Sequence, residues 1–201
     1  VTALDSVGGW ISHLFQYVTG SLKDVTFEVF ALEDVKSADG ESEDYYKKDE
    51  LVATITTDDT GIAKLSGLPL GKYYVKEKAT VDGFVLDNEA REIDLTYRDQ
   101  DTAEVTYSAD WQNNRQKAEV EVVKKEKDSD RVLEGAVFAL CAKNDITGAD
   151  GKVILEADTV IEELATDKEG KLTFTADLPI GFAYYIKETS PASGFATTDE
   201  T

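Results

Sequence analysis

One phrase is written twice in this chain, as YYVKEKATVDGF over residues 73–84 and as YYIKETSPASGF over residues 184–195. An internal repeat limits the fold more than any bulk property, because each copy belongs to a unit that must bury its own apolar face. Both copies alternate with the period of a strand. Tyr73, Val75 and Glu77 share one face of the first, with Tyr74, Lys76 and Lys78 opposite. In the second, Tyr184, Ile186 and Glu188 fall together and Lys187 lies on the other side. Twice, then, a glutamate occupies an apolar position while lysine takes the wet one. A carboxylate cannot be buried alone at tolerable cost, so each must be paired, protonated or chemically employed.

The copies extend around the phrase. LKDVTFEVFA (22–31) matches LEGAVFAL (133–140), TTDDTG (56–61) matches ATDKEG (165–170), and LPLG (68–71) matches LPIG (178–181). The polar excursions 33–50 and 143–157 read as loops, where insertions cost little. Strands are short and turns frequent, with a brief helical pattern near 44–50. The class is all-β, two tandem β-sandwich domains of Ig-like type, 1–116 and 117–201. A strand at 103–113 ends the first domain, another at 118–124 begins the other, and no Gly- or Pro-rich linker separates them. Domain 117–201 reads as truncated before its last strand, and a methionine-free chain starting at Val1 reads as an interior piece of something longer.

A net charge of −20 with few, scattered lysines excludes nucleic acid and anionic membrane as partners. No apolar run is long enough to insert in a membrane. Cys141 has no second cysteine to pair with and reads as a small buried hydrophobe. LPLG and LPIG are turns, lacking the apolar tail and basic end of a sorting signal. DITGADGK (145–152) departs from a calcium-loop pattern, so neither metal nor cofactor is expected. Trp10 and Trp111 read as packing residues, and His13 as an ordinary histidine.

Two more inward polar residues complete a set. In AEVTYSADWQN the face of Val105, Tyr107, Ala109 and Trp111 ends on Asn113; in AEVEVVKKEKD the face of Val120 and Val122 ends on Lys124. VEVVKKEKDSDRVLEGAVFAL, ATDKEG, LPIG and YYIKETSPASGF together resemble the SpaA-like and Cna B-type pilin and adhesin domains of Gram-positive surface proteins. The glutamate segment resembles that family's E-box, Tyr-x-x-x-Glu-Thr-x-x-x-x-Gly-aromatic, with Lys78 in place of the threonine in the first copy. The resemblance implies a prealbumin-like fold and an intramolecular isopeptide bond between a first-strand lysine and a last-strand asparagine, assisted by the E-box glutamate. It implies Glu77 and Glu188 as the catalytic carboxylates, Lys124 as the nucleophile (Lys125 a lesser candidate) and Asn113 as the acceptor (Asn114 the weaker alternative). Such a protein is no turnover enzyme, since it reacts once with itself.

Each site is incomplete by sequence. Residues 1–22 contain no lysine, His13 stands where alignment would place one, and Lys23 lies past the strand; after Glu188 no asparagine remains. The leading expectation is an extracellular stalk or pilin-like segment, anchored to the cell wall through the C-terminus of its parent chain. Its partners would be adjacent domains of the same surface protein. The alternative is an adhesin whose acidic loops, 37–50 and 144–157, hold a host protein or glycan, with Tyr45 and Tyr46 the loop aromatics. A small-molecule binder or enzyme would need convergent polar groups that the sequence does not offer.

Overall fold

Short apolar alternations broken by Asp, Gly and Pro give short strands, and the fold is all-β. The computed structural model describes residues 2–4, 14–37 and 39–196. In chain order the strands are β1 (Thr2–Leu4), β2 (Leu14–Gln16), β3 (Thr26–Ala31), β4 (Leu51–Thr56), β5 (Lys72–Ala79), β6 (Arg91–Asp94) and β7 (Val120–Val123). There follow β8 (Val137–Ala142), β9 (Ile146–Thr147), β10 (Val153–Leu155), β11 (Val160–Ala165), β12 (Lys171–Phe174) and β13 (Tyr184–Ser190). They fall into two compact units, Gly20–Gln116 and another that joins Val1–Thr19 to Lys117–Thr201.

In Gly20–Gln116 one antiparallel sheet runs β4-β3-β5-β6. Its inner face buries Val29, Ala31, Val35 and Tyr73, with Val52, Ile55, Val75 and Ile93 packed around them. The other unit carries the sheet β11-β8-β13 and the smaller pairs β12-β7, β10-β9 and β1-β2. Leu140, Ile146, Ile161, Leu172 and Phe174 form its core, against which Val120 and Val122 of β7 pack. The duplicated phrase is β5 and β13. Register repeats with it: Glu77 lies opposite Phe27 of β3, and Glu188 opposite Phe138 of β8.

The tyrosine doublets repeat too. Tyr73 donates to Pro69 O at 2.6 Å and Tyr184 to Pro179 O at 2.7 Å, tying each strand to the turn before it. Tyr74 and Tyr185 donate to Asp49 and Asp158, two aspartates with left-handed backbones (φ 63° and 62°) just before β4 and β11. Aspartate tolerates that conformation better than most residues, and the tyrosine bond holds it there.

Several sequence expectations are corrected. Residues 44–50 form no helix; an isolated bridge, Val35 to Tyr46, closes that loop. The 143–157 excursion holds the small hairpin β9–β10. Residues 103–113 join no ladder, and pairing begins only where Val85 N donates to Asn114 O and Gln116 N to Gly83 O, both at 2.8 Å. The alternation there is half-used: Val105 and Trp111 are partly covered, whereas Ala109 and Tyr107 (47%) are exposed. The two compact units divide between Gln116 and Lys117, and residues 1–19 group with 117–201. Phe15 supplies the reason, since its ring is buried in the core around Leu140 and Phe174.

Candidate functional site

β5 presents Glu77 to the inside because its alternation places Tyr73 and Val75 there. The residue is only 4% exposed. Asn113 Nδ2 donates to both carboxylate oxygens at 2.8 Å and to Val85 O at 3.1 Å. Asp87 N adds a bond to Oε2 at 2.6 Å. Phe27 and Trp111 meet edge to face at 5.0 Å beside the pair, and the Arg91 guanidinium covers the indole at 3.8 Å. Arg91 in turn donates to Asp110 O and to Asp87 Oδ2. Trp111 thus packs within its own domain, and Asn113 is held without any ladder to carry it.

The other unit shows the complementary half. Lys124 Nζ sits 2.9 Å from Glu188 Oε2, and their side chains are 22% and 9% exposed. The ammonium also lies 5.8 Å from the Phe138 ring centroid. Glu188 Oε1 is buried and has no hydrogen-bond partner among the described residues. A buried acceptor left open costs about 1–3 kcal/mol, so its lack of a donor needs a reason. The first unit offers one: there both oxygens of the equivalent carboxylate take an asparagine amide.

Lys124 is positioned through its backbone. Its N donates to Gly170 O at 2.8 Å and its O accepts from Leu133 N at 3.0 Å. Gly170 has φ +71°, and a Cβ there would stand 2.8 Å from both Lys124 O and Val132 Cβ. Glycine is therefore required twice over, by conformation and by space.

The lesser candidates point elsewhere. Lys125 reaches Asp130 at 3.5 Å on the surface, and Lys23 pairs with Asp59 at 2.6 Å. Asn114 is exposed. His13 and Trp10 lie outside the described residues. Lys78, the departure from the E-box, faces outward and pairs with Glu28, so it does not reach the site. Its counterpart Thr189 likewise donates outward, to Glu163 at 2.6 Å. Ile186, expected on the covered face, is 39% exposed, because no described strand pairs with the outer edge of β13 where β6 covers β5.

Sequence reasoning missed Glu162. It is 4% exposed and accepts from Thr175 N (2.7 Å), Thr175 Oγ1 (2.5 Å) and Ala176 N (3.0 Å), fastening β11 to the segment after β12. A register shift between Val160 and Glu162 lets Ile161 and Glu162 both turn inward, which strict alternation forbids. A pair of adjacent glutamates, Glu162 and Glu163, inside an apolar run is the signal it leaves.

In the acidic loop Asp39 and Asp44 are occupied locally. Asp39 accepts from Ser42, Ser37 and Glu41, and the Ser42 hydroxyl above all holds its carboxyl well below the usual range. Asp44 is lowered by hydrogen bonds from Lys47 and Lys36. Asp145 and Asp150 of the other loop accept from Ala157 N and Lys152 N. No cluster of metal-binding side chains occurs among the described residues.

Among solved structures, the Bacillus anthracis TIE protein is similar at 26% identity and a TM-score of 0.55, over 90% of this chain and 27% of that one. This chain therefore spans about a quarter of that structure's length. The shaft pilin SpaA of Lactobacillus rhamnosus GG matches at 18% identity and a TM-score of 0.32, covering 97% of this chain and 86% of the pilin. The minor pilin of Streptococcus agalactiae matches at 19% and 0.30, covering 88% and 74%. No curated protein matches significantly. The family described as SpaA, a prealbumin-like fold domain, matches residues 16–111 and again 118–201, so the chain belongs to that family as two prealbumin-like domains.

Proposed function

We propose that this chain is a structural segment of a Gram-positive surface protein, of stalk or pilin type, built to carry Lys–Asn isopeptide cross-links. It would work outside the cell, joined to neighbouring domains of its parent and through them to the wall. The observation that carries the reading is the pair of half-sites. One glutamate holds an asparagine amide at 2.8 Å; its counterpart holds a lysine ammonium at 2.9 Å.

The chemistry follows from those contacts. In this reading Lys124 Nζ gives a proton to Glu188 Oε2, its partner at 2.9 Å, leaving a neutral amine beside a carboxylic acid. The amine lone pair attacks the Cγ of an asparagine bound as Asn113 is bound to Glu77. The acid gives its proton to Nδ2, the C–Nδ2 bond breaks and ammonia leaves, while the regenerated carboxylate takes the second Nζ proton and passes it to the ammonia, which departs as ammonium. One C–N bond forms, one breaks, and the protein ends one ammonia lighter. Fixed strands supply the proximity that an intermolecular reaction lacks. By analogy with a disulfide closing a loop of nearly a whole domain, the cross-link would remove roughly 4–5 kcal/mol of unfolded-state entropy.

The test completes the open site from the chain's own repeat. Phe84 and Phe195 end the two copies of the phrase, so residues 85–116 are duplicated immediately after Phe195. Intact mass should fall one ammonia below the sequence mass, and Lys124→Arg or Glu188→Ala should restore it. A full mass in a version whose second domain is measurably stabilised by the added strand would sink the assignment. The adhesin alternative draws less support, since Asp39, Asp44, Asp145 and Asp150 in those loops are bonded within their own loops.

A further inference from the structure

The route of the chain between the two units has a mechanical consequence. The chain is anchored in one unit through Phe15 (7% exposed, among Leu140, Leu172 and Phe174), leaves it, builds Gly20–Gln116, and returns at Lys117. Outgoing and returning segments are fastened to one residue. Tyr17 Oη donates to Asp177 O at 2.7 Å, and Lys117 Nζ pairs with Asp177 Oδ2 at 3.8 Å. β2 also carries β1, which lies against β10 of the same unit.

We propose that this neck, with Phe15 as plug and Asp177 as clasp, takes Gly20–Gln116 out of the path of tension along the chain. Force entering from residues before Phe15 passes into the unit it plugs and leaves through β13, without crossing the inserted domain. The inference rests on the force-carrying role proposed above, and it gives a reason for the asymmetry between the sites. Gly20–Gln116 has no cross-linking lysine among its described residues near Glu77, and the contacts holding its C-terminal end include two ladder bonds, the Glu77–Asn113 pair and the Arg91 and Phe27 contacts around Trp111. Its end would peel one bond at a time. Extracting Phe15 instead requires the core around it to open at once. A domain kept out of tension does not need a covalent brace.

Single-molecule pulling of the full chain tests this. Unfolding Gly20–Gln116 should release about 330 Å of contour at ~3.4 Å per residue, which identifies the event. Three arms are compared: wild type held at residues 1 and 201, Phe15→Ala held likewise, and a Gly20→Cys chain held at residues 20 and 201. Nothing lies within 4 Å of a Cβ at Gly20, and Cys141 is fully buried, so the new thiol can be labelled selectively. The ~330 Å step should need a higher mean force in wild type than with the handle at residue 20. Phe15→Ala should fall to that lower value. Coincident forces in wild type and the Gly20 arm would overturn the proposal, even if Phe15→Ala proved too unstable to pull. Intact mass on the completed protein fails or succeeds separately, so a lost cross-link and a lost neck are distinguishable.

Discussion

Removing the Asn113 amide isolates what holds the end of the first domain. Asn113→Ala deletes the donor to both Glu77 oxygens and to Val85 O, leaving a carboxylate that is 4% exposed with Asp87 N as its remaining donor among the described residues. Hydrogen bonds to a charged group contribute about 1.5–3 kcal/mol each, and the stranded oxygen adds a desolvation cost of similar size. Some of this returns through water entering the gap, so the expected loss is about 3 kcal/mol, or on the order of 15 °C in Tm for a domain of this length. Trp111 is the reporter, since its ring meets Phe27 beside the pair; urea titration by fluorescence in a Trp10→Phe background reads that domain alone. A double-mutant cycle with Glu77→Ala should show a coupling of about 2 kcal/mol, because either single change already breaks the contact. Asn113→Asp should be worse than alanine at neutral pH, placing two carboxylates at the former contact distance, and should recover in acid as the pair shares a proton. Additive single effects, or an Asn113→Ala loss below about 0.5 kcal/mol, would refute the claim that this contact fastens the segment.

Three further outcomes are expected. Glu162→Ala should cost the second domain about 3 kcal/mol by thermal unfolding, since it strands two backbone donors and the Thr175 hydroxyl, while Glu162→Gln keeps part of that. Gly170→Ala should cost about 2–3 kcal/mol through strain and crowding against Lys124 O, and should slow ammonia loss in the completed protein, which a purely global destabilisation compensated by lower temperature would not reproduce. Burial pushes the Tyr73 and Tyr184 hydroxyls up to about 12. Their folded values exceed the unfolded one, so this stability is complete below the ordinary tyrosine range and is lost as pH rises through about 12. Tyrosinate absorbance of these two residues should lag the ordinary tyrosine range and appear together with unfolding.

The sequence was most legible where one residue's neighbours decide its place. Alternation alone put Glu77, Glu188 and Lys124 on the inner faces where the structure has them, because a strand's period of two leaves no other choice. It failed where the partner decides. The alternation at Phe15 and Tyr17 suits a strand but does not say which core receives Phe15, whose ring the structure places with Leu140 and Phe174. Residues 103–113 alternate as well, yet half of that face stays wet, since the sheet beside it ends at β6. Glu162 escaped because a bulge breaks the period. Asp49 and Asp158 were within reach of the repeat: each stands two residues before a matched strand, facing the second tyrosine of its doublet.

The half-sites bear on how such chemistry could be lost without losing the fold. A glutamate whose sole use is to move a proton between lysine and asparagine should become a liability once either is gone, because a buried carboxylate with no donor is costly. Glu77 escapes that fate by accepting from Asn113 and Asp87 N, with Phe27 and Arg91 packed on Trp111, two residues before the asparagine. Its role there is a latch. Glu188 has no such refuge: one oxygen faces Lys124 and the other has no partner among the described residues. That latch satisfies both oxygens of Glu77, whereas the Lys124 contact satisfies only one oxygen of Glu188 among the described residues. On the proposed function the same motif would serve as a latch in one domain and as a cross-linking site in the next, and the bonding state of the carboxylate's other oxygen distinguishes them.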